Sequence, residues 1–130
     1  MEYTSFNKEI VISTIDQLST AINQIIDWNT TINNSDDYLS STDGMKTLAA
    51  TSMLIEAIGE GIKKIDLKTN GSLLSLRQDI PWQDIKGMRN HIAHGYFDID
   101  SDLIFDVVEN DLIPLKNALS YLKEFLLTQK

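Results

Sequence analysis

The sequence predicts an all-α protein, an antiparallel up-down bundle of about four main helices joined by short connections, and three observations carry this. Apolar residues recur at steps of three and four through most of the chain. No segment alternates apolar and polar residues for long enough to make a strand. Polar, glycine and proline breaks separate the apolar stripes. At 130 residues the chain can build one core but not two, so residues 1–130 are read as a single domain.

The first stripe is Val11, Ile15, Leu18, Ile22, Ile25 and Ile32, with Trp28 extending it, and predicts a helix from about Ser5 to Asn33. The polar run Asn33 to Asp37 then breaks the chain and offers N-cap side chains, with Tyr38 and Leu39 in a short helical turn. Met45, Leu48, Ser52, Ile55, Ile58, Ile62 and Ile65 form the second stripe, which Thr42 or Asp43 can cap. Gly59 and Gly61 flank Glu60 inside it. Each interior glycine costs about 1 kcal/mol relative to alanine, and tight helix packing is the expected reason for the pair.

Lys68 to Ser72 reads as a turn, and Leu73 to Ile80 as loop or short helix. Pro81 suits the first position of a third helix, where its missing N–H is harmless, and that helix is expected to run to His94 and close at Gly95. Caps among Asp98, Asp100 and Ser101 open a fourth, with Leu103, Val107, Leu112, Leu115, Leu119, Leu122 and Leu126 as its stripe. Pro114 lies within it and clashes with the Asn110 carbonyl, which predicts a kink or break near Asn110–Asp111.

Composition removes several classes of function. The chain has no cysteine, so disulfides, thiolate metal sites and thiol nucleophiles are excluded. Its two histidines are too few for a structural zinc site, and neither a metal nor a cofactor is expected. No apolar run approaches the roughly 20 residues of a membrane span, and the N-terminus lacks a basic-then-apolar leader, so a cytoplasmic location is expected. On that reading the Asn-x-Ser/Thr triplets at Asn29, Asn33 and Asn70 are chance matches. A formal charge of −8 argues against a broad nucleic-acid-binding surface and suits a basic protein partner. It leaves room for a local phosphate site: from Pro81 to Tyr96 the only charges are Asp84, Lys86 and Arg89, a net of +1.

Chemistry concentrates in Arg89-Asn90-His91-Ile92-Ala93-His94-Gly95-Tyr96, which holds both histidines. Arginine offers a fixed charge and a planar fork of donors to phosphate oxygens, and histidine moves protons near neutral pH. Together they suffice for metal-free phosphodiester chemistry. Five residues of regular helix separate Arg89 and His94 by roughly 140°, whereas Asn90 and His94 share a face. Convergence on one phosphate therefore requires the helix to unwind, which Gly95 favours, or a second copy of the chain to complete the site. Structural readings compete at each position. An arginine and histidines on a helix can simply face solvent, Glu60 can be a solvated helix carboxylate, and Tyr96 can pack on the fourth helix with its hydroxyl on Asp98 or Asp100.

These residues resemble the HEPN superfamily, and within it the HepT-like toxins, whose pattern is Arg-x4-His-x-Tyr: here Arg89, His94 and Tyr96, with Asn90 after the arginine. Pro81-Trp82-Gln83-Asp84-Ile85-Lys86-Gly87-Met88-Arg89-Asn90 is similar to the family's Pro-Trp-x-x-Ile-x-Gly-Met-Arg-Asn stretch. Asp111-Leu112-Ile113-Pro114-Leu115 resembles its Asp-Leu-Pro-x-Leu segment with one residue inserted, and Ile58-Gly59-Glu60-Gly61 its Ile-Gly-Glu-Ala helix. The likeness runs from about Met45 onward, and the first helix matches only in character.

The resemblance implies a homodimer with the motif at its interface, acting as a metal-independent RNase toxin. It also implies a partner, a minimal nucleotidyltransferase (MNT-domain) antitoxin that silences the toxin by attaching AMP to Tyr96. On that reading Arg89 and His94 are catalytic, Asn90 orients the phosphate or braces His94, His91 is a candidate for extra phosphate binding, and Glu60 steadies Arg89. The family also has inactive members, which supply a second reading, a non-catalytic subunit that docks a nucleotidyltransferase. An orphan helical dimer is the third.

Overall fold

The computed structural model describes residues 3–88 and 98–129, and among them every regular element is helical. The α-helices are α1 (Ser5–Trp28), α2 (Thr42–Lys68), α3 (Trp82–Lys86), α4 (Ser101–Asn110) and α5 (Leu112–Thr128), with 3-10 turns at Ser35–Tyr38 and Leu74–Leu76. Four long helices and one short one give the expected all-α, HEPN-like bundle. None of these helices is long and apolar enough to cross a membrane.

The predicted stripes are the core. Val11, Ile15, Leu18, Ile22 and Ile25 of α1 meet Leu48, Ile55, Ile58, Ile62 and Ile65 of α2, and Leu112, Leu115, Leu119, Leu122 and Leu126 of α5, in one buried cluster. α1 runs antiparallel to both neighbours. At its start, Tyr3 Oη lies 3.1 Å from Ser72 Oγ and Asn7 Nδ2 donates to the Lys68 carbonyl at the far end of α2. There too, Lys8 Nζ donates to the Gln129 carbonyl beyond α5. Further along, Lys123 of α5 pairs with Asp16 of α1 at 2.7 Å.

Three expectations about helix ends are corrected. α1 stops at Trp28 rather than Asn33, and Trp28 is exposed rather than part of the buried stripe. The cause is Asn29, which lies fully inside. Its Nδ2 donates to the Ile25 carbonyl at 2.8 Å and to Thr51 Oγ1 at 3.0 Å, while its Oδ1 accepts from Tyr38 Oη at 2.6 Å. An amide that serves three partners ends the helix by turning the chain inward. Second, α2 is capped by Ser41, whose side chain accepts from Gly44 N, and not by Thr42 or Asp43. Met45, at the head of its stripe, is exposed. Third, the helix expected from Pro81 to His94 is interrupted. α3 ends at Lys86, with Pro81 as its N-cap and Gly87 as its C-cap, and helical geometry resumes at Met88.

The break near Asn110–Asp111 occurs where the proline predicts it. Asp111 separates α4 from α5, and Pro114 falls in the first turn of α5, where a missing N–H leaves no helical bond broken. At the other end of α2, Asn70 and Gly71 both take positive φ, 51° and 77°, and Gly71 N donates back to the Asp66 carbonyl. Residues Leu74–Leu76 form the short 3-10 turn left open by the sequence.

Burial, with Glu109 as a neighbouring negative charge, pushes the Tyr38 hydroxyl up to about 12. A phenol held neutral in the fold but free to ionise when unfolded gives stability that is full below pH 10 and declines as pH rises from there toward 12. Tyr38→Phe is expected to flatten that decline in pH-dependent urea melts. An unchanged slope in the variant would show that Tyr38 does not titrate differently on unfolding.

Candidate functional site: the scaffold around the arginine-histidine motif

Arg89, Asn90, His91, His94 and Tyr96, and with them the expected helix end at Gly95, lie outside the described residues. What is described is how the chain enters and leaves that segment, and both flanks are tied to the core.

On the entry side, α3 is fastened at three points. Trp82 is buried, and its Nε1 donates to the Arg77 carbonyl at 2.9 Å. Lys86 Nζ reaches across to Asp66 on α2 at 2.8 Å, with side chains 16% and 26% exposed. This shielded pair holds its geometry better than a solvated one. Between them, α3 lies directly on Gly59: a Cβ built there would stand 2.9 Å from the Ile85 carbonyl oxygen. Gly61 meets α1 in the same way, its Cβ position falling 2.5 Å from Leu18 Cδ2. Close packing is thus the reason for the glycine pair, as expected. The loop before α3 is braced by Arg77, which forms a two-pronged pair with Asp79 (2.9 and 2.8 Å) and stacks over the Tyr121 ring at 5.2 Å. The Asp79 hydrogen bond raises the Arg77 guanidinium further above its already high range, and the same bond lowers the Asp79 carboxyl.

On the exit side, Asp100 caps α4 by accepting from Leu103 N at 3.1 Å, and Ile99 and Leu103 pack against the core. Ser35 in the first 3-10 turn donates to Asp102 at the head of the same helix. Ile85 and Met88 line a small apolar gap together with Ile58, Val107 and Leu115, and Asp111 is also in its lining. Partial burial, then repulsion from Asp106, raises the pKa of Asp111.

Glu60, the acid expected to steady Arg89, is exposed on α2 and pairs with Lys63 at 3.3 Å. The anchors Lys86, Asp66 and Trp82 were not among the expected site residues. Only Trp82 has a local signal, as a tryptophan directly after the helix-opening proline.

Gly59→Ala provides a test of the entry side. Alanine is the better helix former by about 1 kcal/mol, yet the added methyl must push α3 off α2. The melting temperature is expected to fall. A rise would mean that α3 is not held against this glycine.

The ribonuclease HepT-like family model matches residues 18–122, a range that contains the motif and both flanks, and the chain belongs to that family. It is 30% identical over 79 residues to the Thermococcus cleftensis protein named "Probable ribonuclease HepT", covering 61% of this chain and 68% of that one. It is 29% identical over 80 residues to the Methanocaldococcus jannaschii protein named "Putative RNase MJ1380", covering 62% and 70%. No solved structure matches the chain at a significant level.

Proposed function

We propose that the protein is a metal-independent endoribonuclease that acts as the toxin of a toxin-antitoxin pair. The observation that carries this is a complete Arg89-x4-His94-x-Tyr96 pattern inside the span matched by a ribonuclease family. The reaction is transesterification within RNA. The 2′-oxygen bonds to the adjacent phosphorus, the bond to the 5′-oxygen breaks, and a 2′,3′-cyclic phosphate remains. His94 takes the 2′-hydroxyl proton or supplies one to the leaving 5′-oxygen. Arg89 holds the phosphate and stabilises the charge that builds on its oxygens, with Asn90 orienting it. A homodimer supplies two His94 side chains to one cleft and resolves the roughly 140° separation of Arg89 and His94 on a regular helix. Growth arrest on expressing the chain alone, absent for Arg89→Ala, supports the reading. No arrest, and no RNA cleavage by the purified protein, favours a non-catalytic subunit.

Silencing is assigned to Tyr96. An MNT-type nucleotidyltransferase transfers AMP from ATP to its phenol oxygen with release of pyrophosphate, placing a bulky anion beside Arg89 and blocking the substrate phosphate. Intact-mass measurement after co-expression with the neighbouring nucleotidyltransferase should show AMP-sized additions that disappear in Tyr96→Phe. Additions that persist in Tyr96→Phe place the modification elsewhere.

A further inference from the structure

The acidic charge of this protein is unevenly spread. Residues 63–89 hold six Lys and Arg against three Asp, a net of +3, while the rest of the chain holds five against sixteen, a net of −11. Within the basic stretch, the end of α2 and α3 enclose an open cleft of about 470 Å³ lined by Lys63, Asp66, Leu67, Gln83, Lys86 and Gly87. Its chemistry is that of a nucleotide unit. Its lining carries the ammonium groups of Lys63 and Lys86, the latter paired with the Asp66 carboxylate, and the Gln83 amide, all able to bind a phosphodiester, and Leu67, 79% exposed, offers an apolar surface to a base or ribose. Lys63 is free to change partners, because its pair with Glu60 is solvent-exposed and long, at 3.3 Å. The cleft ends at Gly87, and two further residues of chain, spanning at most about 7 Å, reach Arg89.

We propose that this cleft is an RNA subsite that holds a phosphate flanking the scissile one, with Lys63 and Gln83 as its principal ligands and Lys86 held in place by Asp66. The proposal rests on the ribonuclease reading above and extends it: the motif cuts, and the cleft keeps a longer strand in register. Outside residues 63–89 the chain carries a net of −11, so a polyanionic strand is favoured at this stretch over the acidic bulk of the molecule.

The test uses the full chain and a single-stranded 2′-O-methyl oligoribonucleotide, which binds but lacks the attacking hydroxyl. Binding is followed by fluorescence anisotropy across a salt series. Lys63→Glu, and more so Lys63→Glu with Gln83→Ala, should weaken binding about tenfold and lower the salt slope by about 0.7, the share of one phosphate contact on a single strand. Lys46→Glu makes the same charge change at the opposite end of α2 and should have much the smaller effect. Lys63→Gln, which adds no repulsion against Glu60, should shift binding in the same direction by less. Equal effects of Lys63→Glu and Lys46→Glu, or no salt-dependent binding by the wild type, would overturn the subsite. Cleavage of unmodified RNA is scored separately. Lys63-dependent binding without cleavage sinks the ribonuclease reading and keeps the subsite, and cleavage without Lys63 dependence does the reverse.

Discussion

Replacing either Arg89 or His94 by alanine is expected to remove RNA cleavage, with rates falling by about 10²-fold or more, while the fold persists. Loss of a positioned acid or base costs about 10²–10⁴ in rate, and loss of a donor aimed at developing charge costs about 10²–10³. The described core is built chiefly from the stripes of α1, α2, α4 and α5 with Trp82 and Tyr38, so the bundle has support outside the motif. Helical circular dichroism and melting temperature should stay close to wild type in both variants. Wild-type cleavage by either variant would take away its assigned role. A mixed dimer of the two variants adds a second arm. Recovered activity would mean that one site draws on both chains and that a single His94 suffices, and continued inactivity would mean that a site needs either both residues from one chain or both His94 side chains.

The largest effect on stability is expected at Asn29. Truncation to alanine strands the Tyr38 hydroxyl and Thr51 Oγ1 in the interior, where each now has the amide as partner, while the Ile25 carbonyl keeps the backbone N–H of residue 29. An unpaired buried polar group costs about 1–3 kcal/mol, so a loss of about 3 kcal/mol and a melting temperature lower by roughly 10 °C are expected. Removing both ends of the strongest contact, as Asn29→Leu with Tyr38→Phe, should cost less than the two single changes added together. Additive effects would mean that the two side chains stabilise the fold independently. This network pins the end of α1 to α2, and through Tyr38 to the turn that meets the head of α4, so its loss should loosen the exit flank of the motif as well.

Much of the architecture was legible because it follows from local rules. The three stripes name nearly every buried side chain of α1, α2 and α5, and Pro114 locates the α4/α5 break through a clash with one specific carbonyl. The errors fall where distant residues decide. α1 ends early because Asn29 finds Tyr38 and Thr51, nine and twenty-two residues away, and a stripe that happens to continue to Ile32 conceals this. Gly87 ends α3 although the apolar period runs on through it. Ser41 wins the cap from its equally suitable neighbours Thr42 and Asp43 because its side-chain oxygen accepts from Gly44 N.

The same division applies to the site. Its reactive residues are legible because Arg89 through Tyr96 form one continuous run with a specific spacing. The devices that fasten the run are not, since Lys86 meets Asp66 across twenty residues and Gly59 matters only because Ile85 packs on it. The expectation that the motif sits at the end of one unbroken helix fails for the same reason, because a short α3 with its own anchors precedes it.

The central claim, metal-free cleavage by 2′-hydroxyl attack, is tested most directly by the ends it leaves. Purified wild-type protein is incubated with end-labelled RNA in EDTA, and the product termini are identified. Cleavage should persist in EDTA, be absent with Arg89→Ala, and yield 2′,3′-cyclic phosphate and 5′-hydroxyl ends. Products with 3′-hydroxyl ends, or cleavage that EDTA abolishes, would contradict it.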